Sequence, residues 1–263
     1  MPAFPGKKVI ALEKRLHQCR NVITLGVRPN FSDYPAETAA IIRQASKIYY
    51  PSLFYADIFN AVGKDIFPSY HNYKSIQDKI KQTALLQITE SPHPRTKTYY
   101  GRRRASKILK DFTFPFIAKI PRGSALGRGV FLIQNEADLA GYAAMVYPAY
   151  IQEYLATDRS IRVVIIGERA AHAYWRKVPG GDFRSNLAVG ATILPDPVPE
   201  KAIEIALTAA RRCGWNDVGL DIIEHQQKFY ILEANMKYGR EGFARAGLNY
   251  YSLMEEMIDK GEI

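Results

Sequence analysis

The sequence predicts a mixed α/β (α+β) fold made of three consecutive units, and three observations carry this prediction. Strand-like apolar runs alternate with helical runs over residues 1–74. A linking helix and then the order strand, helix, strand, strand, helix, strand follow over residues 75–155. Within residues 156–263, two strands with the sequences VGLDII and FYILEAN flank a short polar turn. We expect domain boundaries after residues 74 and 155.

The first unit has the alternation of strands and helices that is typical of a parallel sheet. Residues 1–20 predict a short strand or arm followed by a helix. The strands VITLGV and KIYYP come next, and Pro51 stops the second of them. The helix PAETAAIIRQA has a proline at its start and an acid in its first turn, and the helix YADIFNAVG ends at Gly63.

A linking helix is predicted over residues 74–88, with the sequence KSIQDKIKQTALLQI. Ser75 is the expected N-cap, and Asp78 lies three residues later, as in a capping box. Lys79 then falls in the first turn. Taken alone, this lysine indicates no more than a solvated helix residue.

The remaining elements are predicted from runs of strand-forming and helix-forming residues. The middle unit contains the strands RTKTYY, FPFIAKI, VFLI and YIQEYL and the helices RRRASKILKDF and EADLAGYAAMV. The third unit contains the strands SIRVVIIG and AAHAYWRKV, the helix EKAIEIALTAARRCG, the hairpin and the closing helix NYYSLMEEMIDKG. Gly214 ends the first of these two helices, and arginines in its last turn suit the helix dipole.

Composition limits the class of protein. The 263 residues are 47% hydrophobic and 24% charged, which is ordinary for a globular chain. The net charge of +10 favours anionic partners such as nucleotide phosphates, acidic peptides or nucleic acid. The two distant cysteines, Cys19 and Cys213, exclude a disulfide framework and fit a reducing compartment. A secretory signal is not recognisable, and no run reaches the ~20 apolar residues of a membrane span, so we expect a cytoplasmic protein without a membrane partner.

The C-terminal hairpin carries oxygen-bearing side chains in otherwise apolar strands. Glu233 and Asn235 share one face of their strand, and pairing through the short turn can bring Asp221 beside them. Carboxylates are costly to bury without a partner, and oxygen ligands of this kind suit Mg²⁺ together with substrate phosphates. The alternative is an edge hairpin whose acids face water.

A glycine-containing loop is the second signal. The loop PRGSALGRG includes Gly123, Ser124, Gly127 and Gly129, joins two strands and follows Lys119. Glycines let backbone N–H groups approach an anion, so this hairpin with its lysine predicts a lid over nucleotide phosphates. The alternative is a flexible turn that binds nothing. A protein kinase also pairs such a loop with a strand lysine, but there the lysine follows the loop and HRD and DFG motifs are present.

Further polar residues precede the hairpin. Arg176 lies on a strand, and Arg184 and Asn186 lie in the loop GDFRSN that follows it. Guanidinium groups suit a bidentate grip on carboxylate or phosphate, and the alternative is ordinary surface charge. The five histidines lack HxxxH spacing, and no nucleophile elbow or Cys/His pattern predicts covalent catalysis.

These parts, in this order, resemble the ATP-grasp ligases and most of all the RimK-like glutamate ligases. The segments FIAK, the glycine loop, YIQEYL, GDFRSN, VGLDII and LEANMKYGREGF carry the resemblance, which runs from about Gln77 to the C-terminus. It implies an ATP-grasp fold with a shortened N-terminal α/β domain, a small lid subdomain and a C-terminal catalytic subdomain.

The resemblance also implies roles for individual residues. Two lysines would hold ATP phosphates, a hinge segment would receive adenine, three residues would bind magnesium, and three would hold the transferred phosphate and the acyl phosphate. In that order these are Lys79 and Lys119; Glu153, Tyr154 and Leu155; Asp221, Glu233 and Asn235; and Arg176, Arg184 and Asn186.

The sequence departs from the family pattern in several places. Ser160 stands where the family has its ribose-binding acid, and Asp158 is a nearby substitute. Tyr238 replaces the usual proline, Met236 and Lys237 replace small residues, and the glycine loop is one residue longer. Ribose contacts and substrate specificity are therefore open at this stage.

The implied activity is ligation of a carboxylate to an amine through an acyl phosphate, with release of ADP and phosphate. The expected cofactors are ATP and Mg²⁺, which Mn²⁺ could replace. The expected partners are an anionic small molecule or peptide and an amine such as glutamate, with a homo-oligomer left open. One rival is a basic nucleic-acid-binding protein that uses the run 102–104. The other is an ATP-grasp phosphotransferase or a nucleotide-binding pseudoenzyme.

Overall fold

The computed structural model describes residues 8–124, 129–177, 191–194 and 196–263. Its strands form three sheets, one in each of the three units. The boundaries expected after residues 74 and 155 stay a prediction. In the described part of the chain, no helix has the length and hydropathy that a membrane crossing requires.

The first unit is a four-stranded parallel sheet with strand order β2-β1-β3-β4. Its elements in chain order are β1 (Val9–Ala11), β2 (Val22–Thr24), α1 (Ala36–Gln44), β3 (Lys47–Tyr49), α2 (Leu53–Ala61), β4 (Asp65–Phe67) and α3 (Tyr70–Ser75). The predicted parallel sheet is confirmed. The sequence analysis did not predict β4 or α3, which are three and six residues long.

The linking helix α4 (Lys79–Ile88) begins later than expected, and the predicted N-cap at Ser75 is wrong. Ser75 is the last residue of α3, and Gln77 adopts a left-handed backbone with φ of 51° that separates the two helices. The N-cap is Asp78, whose carboxylate accepts a hydrogen bond from the backbone N–H of Lys81 at 3.1 Å. Lys79 is therefore the first residue of the helix.

The middle unit is an antiparallel sheet against which two helices pack. Its elements are β5 (Thr96–Tyr99), α5 (Arg104–Asp111), β6 (Phe116–Lys119), β7 (Val130–Ile133), α6 (Glu136–Met145) and β8 (Ala149–Glu153). The strand order is β5-β8-β6-β7, and the predicted element order is confirmed. Ile108 and Leu139 bring the two helices onto Phe116 in a separate small core.

The third unit is a five-stranded sheet with order β11-β10-β9-β12-β13. Its elements are β9 (Arg159–Ile166), β10 (Arg169–Lys177), β11 (Thr192–Leu194), α7 (Glu200–Cys213), β12 (Asp217–His225), β13 (Lys228–Asn235), α8 (Glu241–Arg245) and α9 (Tyr250–Asp259). The predicted hairpin is confirmed: Gln226 and Gln227 both have positive φ, as a two-residue turn requires. The short elements β11 and α8 were not predicted.

Alternation along β9 shows how this sheet is covered on both faces. Val163 and Ile165 pack into a core with α4 and α7, while Val164 and Ile166 pack on the opposite side with α9 and the first unit. Both faces are buried, so the central strands are apolar at nearly every position. A charged side chain in these strands therefore needs a partner inside the protein.

Candidate active site

The acidic hairpin brings three oxygen-bearing side chains together, as the sequence predicted. Asp221 on β12 is the direct cross-strand partner of Glu233 on β13, and the pairing register shifts immediately after Asp221. Asn235 donates a hydrogen bond from its side-chain amide to Asp221 at 3.0 Å. The alternative of acids that only face water does not hold, because their side chains are 15% and 26% exposed and both form ion pairs.

Two buried arginines hold Asp221. Arg162 donates from Nε at 2.6 Å and from Nη2 at 3.0 Å, and Arg176 donates from Nη2 at 2.6 Å. Arg176 also donates to the hydroxyl of Ser160 at 2.9 Å. Burial by itself would raise the pKa of Asp221, but the two guanidinium charges outweigh it and keep that pKa below its usual range.

Arg162 was missed by the sequence reasoning. It lies across from Asp221 in the β9–β12 ladder and is 8% exposed. The available signal was its position inside the apolar run SIRVVII, where an arginine without a buried partner would be costly. Ser160, which the resemblance aligned with a ribose-binding acid, is fully buried and supports Arg176 instead.

Two lysines from different units converge on the hairpin. Lys79 at the start of α4 forms an ion pair with Glu233 at 3.2 Å and donates to the Ser124 hydroxyl at 3.2 Å. Lys119 at the end of β6 is 5% exposed, and burial lowers its pKa to about 8. Glu233 and Asp221 act in the opposite direction and Lys79 adds to the lowering, so Lys119 lies in the field of the same cluster.

Backbone contacts fix Lys79 against the start of the glycine loop. Its backbone N–H donates to the carbonyl of Pro121 at 2.9 Å. Asp78, the cap of α4, also accepts a hydrogen bond from Arg122 at 3.0 Å, and the two residues form a β-bridge. The helix start and the loop are therefore held together, and Pro121, the partner of Lys79, lies two residues after Lys119.

A side chain of α4 also covers the edge of the hairpin. β13 is an edge strand, so its outward backbone groups lack a neighbouring strand. Gln82 substitutes for that neighbour: its amide donates to the carbonyl of Ala234 at 2.8 Å and accepts from the N–H of Ala234 at 3.2 Å. Ala234 lies between Glu233 and Asn235, so Gln82 orients the backbone that carries both.

The described ends of the glycine loop have the backbone that glycine permits. Gly123 and Gly129 have φ of 67° and 76°. A Cβ on Gly129 would lie 2.8 Å from Ile120, so a larger residue would collide there. Ser124 donates to the carbonyl of Ile120 at 3.0 Å. Gly127, the remaining predicted loop residue, lies outside the described residues, as do Arg184 and Asn186.

The predicted adenine hinge follows β8. Glu153 ties β8 to the start of β5, because its carboxylate accepts a hydrogen bond from the backbone N–H of Arg95 at 2.6 Å. Tyr154 and Leu155 come directly after the strand and are partly buried. Asp158 is largely exposed and lies 3.8 Å from Lys177. The adenine and ribose roles of these residues stay predictions.

The donor set of the hairpin fits Mg²⁺. Two carboxylates and the side-chain amide of Asn235 lie together, and the ammonium groups of Lys79 and Lys119 lie near them; carboxylate and amide oxygens are ligands that Mg²⁺ accepts. Among the described residues, no group of three or more His, Cys, Asp or Glu side chains could hold a metal ion. Mg²⁺ is usually held by one or two carboxylates, with substrate phosphates completing its coordination.

Comparison with known proteins identifies the family. The RimK-like ATP-grasp domain matches residues 76–258. The glutamate–LysW ligase ArgX of Sulfolobus acidocaldarius is 30% identical over 203 residues, which cover 73% of this chain and 71% of the relative. The ribosomal protein bS6–L-glutamate ligase of Escherichia fergusonii is 31% identical over 153 residues, 56% of this chain and 51% of the relative.

Solved structures show the same fold at low sequence identity. The ATP-grasp ligase PsnB, complexed with the precursor peptide PsnA2 and AMPPNP, has a TM-score of 0.70 and 15% identity and covers 97% of this chain and 98% of its own. N5-carboxyaminoimidazole ribonucleotide synthetase of Thermotoga maritima has a TM-score of 0.67 and 21% identity, and the match covers 95% of this chain and 68% of the synthetase chain. The predicted ATP-grasp fold is therefore confirmed.

Proposed function

The chain belongs to the RimK-like ATP-grasp family of carboxylate–amine ligases, and we propose that it uses ATP and Mg²⁺ to add an amino acid, such as glutamate, to a peptide or small molecule. The observation that carries the proposal is the convergence of Lys79, Lys119 and the acidic hairpin at one place. The relatives named as glutamate ligases support the choice of amine.

The lysines would bind the ATP phosphates. Lys79 and Lys119 come from the linking helix and the middle sheet, and the glycine loop that joins β6 to β7 contacts the start of this helix. Closure of this loop would exclude water and hold the phosphates in line for transfer. Glu153, Tyr154 and Leu155 would receive the adenine, and Asp158 would reach the ribose.

Asp221, Glu233 and Asn235 would hold the metal ion. A bound Mg²⁺ would supply positive charge to the phosphate oxygens during transfer. The ion pair between Lys79 and Glu233 would break, and Lys79 would pair with a phosphate instead. Arg162 would keep the carboxylate of Asp221 oriented. The pair of buried arginines therefore keeps the hairpin compact before substrates arrive.

The arginines would stabilise the acyl phosphate. Arg176, together with Arg184 and Asn186, would contact the transferred phosphoryl group and the substrate carboxylate. The amine then attacks the acyl carbon, the C–N bond forms, and inorganic phosphate leaves with the electron pair of the C–O bond. The chain supplies positioning and charge in this sequence, without a covalent enzyme intermediate.

The proposal is tested by ligand-dependent stability and by ADP release. A thermal scan with ATP and Mg²⁺ should raise the melting temperature more than GTP with Mg²⁺ or Mg²⁺ alone, because the ligand binds only the folded state. ADP release should then depend on a carboxylate and an amine from pooled amino acids, peptides and carboxylic acids. Arg184→Ala should suppress product formation far more than ATP affinity.

The nucleic-acid rival gives the opposite result. It requires tight RNA or DNA binding that weakens steeply with salt. It also requires that Arg184→Ala ligates as well as the wild type, or that the wild type shows no ligation at all. The absence of any shift with millimolar ATP would contradict the ligase proposal.

A further inference from the structure

A cavity of about 350 Å³ lies where the first unit meets the end of the acidic hairpin. Glu13 and Arg15, which come after β1, line it together with Met236 and Lys237, which come directly after β13. In open α/β sheets ligands bind beyond the carboxyl ends of the parallel strands, and this is the end of β1 that faces the cavity. Met236 directly follows Asn235, so the cavity adjoins the candidate active site.

Glu13 presents a half-buried carboxylate to this cavity. Burial raises the pKa of Glu13 above its usual range, and the charges of Lys237 and Arg15 act against that rise. Both cations act through space, and neither donates a hydrogen bond to the carboxylate. The partly buried carboxylate of Glu13 therefore lies near Lys237 and Arg15 without a hydrogen bond from either of them.

Arg15 presents the complementary group. Its Nε donates to the hydroxyl of Tyr250 at 3.1 Å, and its Nη1 donates to the carbonyl of Tyr238 at 3.2 Å. The guanidinium carbon lies 4.5 Å from the centre of the Tyr238 ring and 5.2 Å from that of Tyr250. These contacts fix its position, but Nη2 is buried and has no hydrogen-bond partner among the described residues.

The tyrosine that replaces the family's proline takes part in this arrangement. The hydroxyl of Tyr238 donates to fully buried Asp217 at 2.5 Å, and Tyr50 donates to the other oxygen of Asp217 at 2.9 Å. Tyr238 thus links Arg15, which lines the cavity, to Asp217 at the start of β12. Of the departures from the family pattern, Met236 and Lys237 line this cavity, and Tyr238 contacts Arg15, which lines it as well.

We infer that this cavity binds the head group of the amino-acid substrate, with Glu13 accepting hydrogen bonds from the α-ammonium and Arg15 and Lys237 holding the α-carboxylate. A zwitterion satisfies both the unpaired acceptor and the unpaired donor at once. A simple dicarboxylate would leave Glu13 facing another anion, and a diamine would leave Arg15 without a partner. This inference rests on the proposed ligase function and names the place where its amine donor binds.

The experiment measures amino-acid binding to the full chain saturated with a non-hydrolysable ATP analogue and Mg²⁺. The twenty L-amino acids are offered singly at millimolar concentration in a thermal scan, and the best binder is titrated by calorimetry. That binder is then compared with the same molecule lacking the amino group and with the same molecule lacking the α-carboxylate. Both truncated molecules should lose binding.

Two variants and a control locate the binding. Glu13→Gln should weaken the amino acid roughly ten- to a hundredfold, as expected for loss of one charge-assisted hydrogen bond, and Lys237→Gln should weaken it by a smaller factor. Glu37→Gln, on the exposed start of α1, should bind like the wild type. The melting temperature of each variant without ligand shows whether it remains folded.

The outcomes separate this inference from the proposed function. If the ATP analogue binds but no amino acid does, or if Glu13→Gln binds like Glu37→Gln, the cavity is not the amino-acid site and the ligase proposal is unaffected. If the ATP analogue itself fails to bind, the proposed function is contradicted and this inference falls with it.

Discussion

Replacement of Asp221 by asparagine tests whether the hairpin acid has a structural role before any ligand binds. Asp221 accepts hydrogen bonds from two buried arginines, Arg162 and Arg176, and from Asn235. Asp221→Asn keeps the shape of the side chain but leaves two guanidinium charges without a carboxylate. Breaking a buried ion pair in this way costs about 3–5 kcal/mol. For a chain of this size that corresponds to a fall in melting temperature of roughly 6–20 °C.

Glu233→Gln gives the comparison within the same site. Its side chain is 26% exposed and pairs with Lys79, which keeps a hydrogen bond to Ser124 when the charge of Glu233 is lost. The expected cost is about 1.5–3 kcal/mol, the scale of one hydrogen bond to a charged group. Asp158→Asn is the control, because that carboxylate is 72% exposed and should change the melting temperature little.

The measurement is chemical and thermal unfolding of the four proteins without ATP or metal. The difference in unfolding free energy between wild type and Asp221→Asn should be constant near neutral pH. Because the pKa of Asp221 is held low in the folded state, its contribution is present above the unfolded pKa of roughly 4 and is lost as the pH falls through the folded pKa. If Asp221→Asn unfolds like Asp158→Asn, the two arginines do not depend on this carboxylate and the reasoning is refuted.

Three further predictions follow from other residues of the site. ATP affinity should weaken as the pH rises through about 8, because Lys119 loses its proton there. Lys119→Arg should show a flat profile in the same titration, because arginine keeps its charge. Equal pH profiles for the two proteins would contradict the assignment of Lys119 to the ATP phosphates. Gln82→Leu removes both hydrogen bonds to Ala234, so kcat/KM should fall at least tenfold. The free energy of unfolding should fall by about 1–3 kcal/mol for each buried backbone group left unpaired. Unchanged kinetics would show that the edge of β13 is held by other contacts. The double variant Arg102→Gln/Arg103→Gln should retain activity because both residues are exposed. Arg104→Gln should lower the melting temperature, because Arg104 donates a hydrogen bond to the carbonyl of Ala143 in α6. A fall in activity for the double variant alone would show that the exposed arginines, and not Arg104, matter for function.

Local patterns in the sequence were sufficient for the hairpin and for most of the regular elements. The alternation in VGLDII and FYILEAN, with a short polar turn between them, predicts a register that brings Asp221 near Glu233. Period and turn length are local properties, so a single sequence can express them. The end of α7 at Gly214 was predicted for the same reason, because a single glycine in the left-handed conformation can end a helix.

The tertiary structure alone decided which charges meet. Arg162 and Asp221 are 59 positions apart and become neighbours because β9 lies between β10 and β12 in the sheet. Lys79 looked like a solvated helix residue, yet its position against Glu233 depends on the packing of α4 on the edge of β13. Sheet order and helix docking are set by the summed burial of many apolar residues, so they cannot be predicted from any one short segment of the sequence. The sequence by itself therefore determined the elements and the types of chemistry they carry, and packing between distant segments determined the ion pairs that orient them.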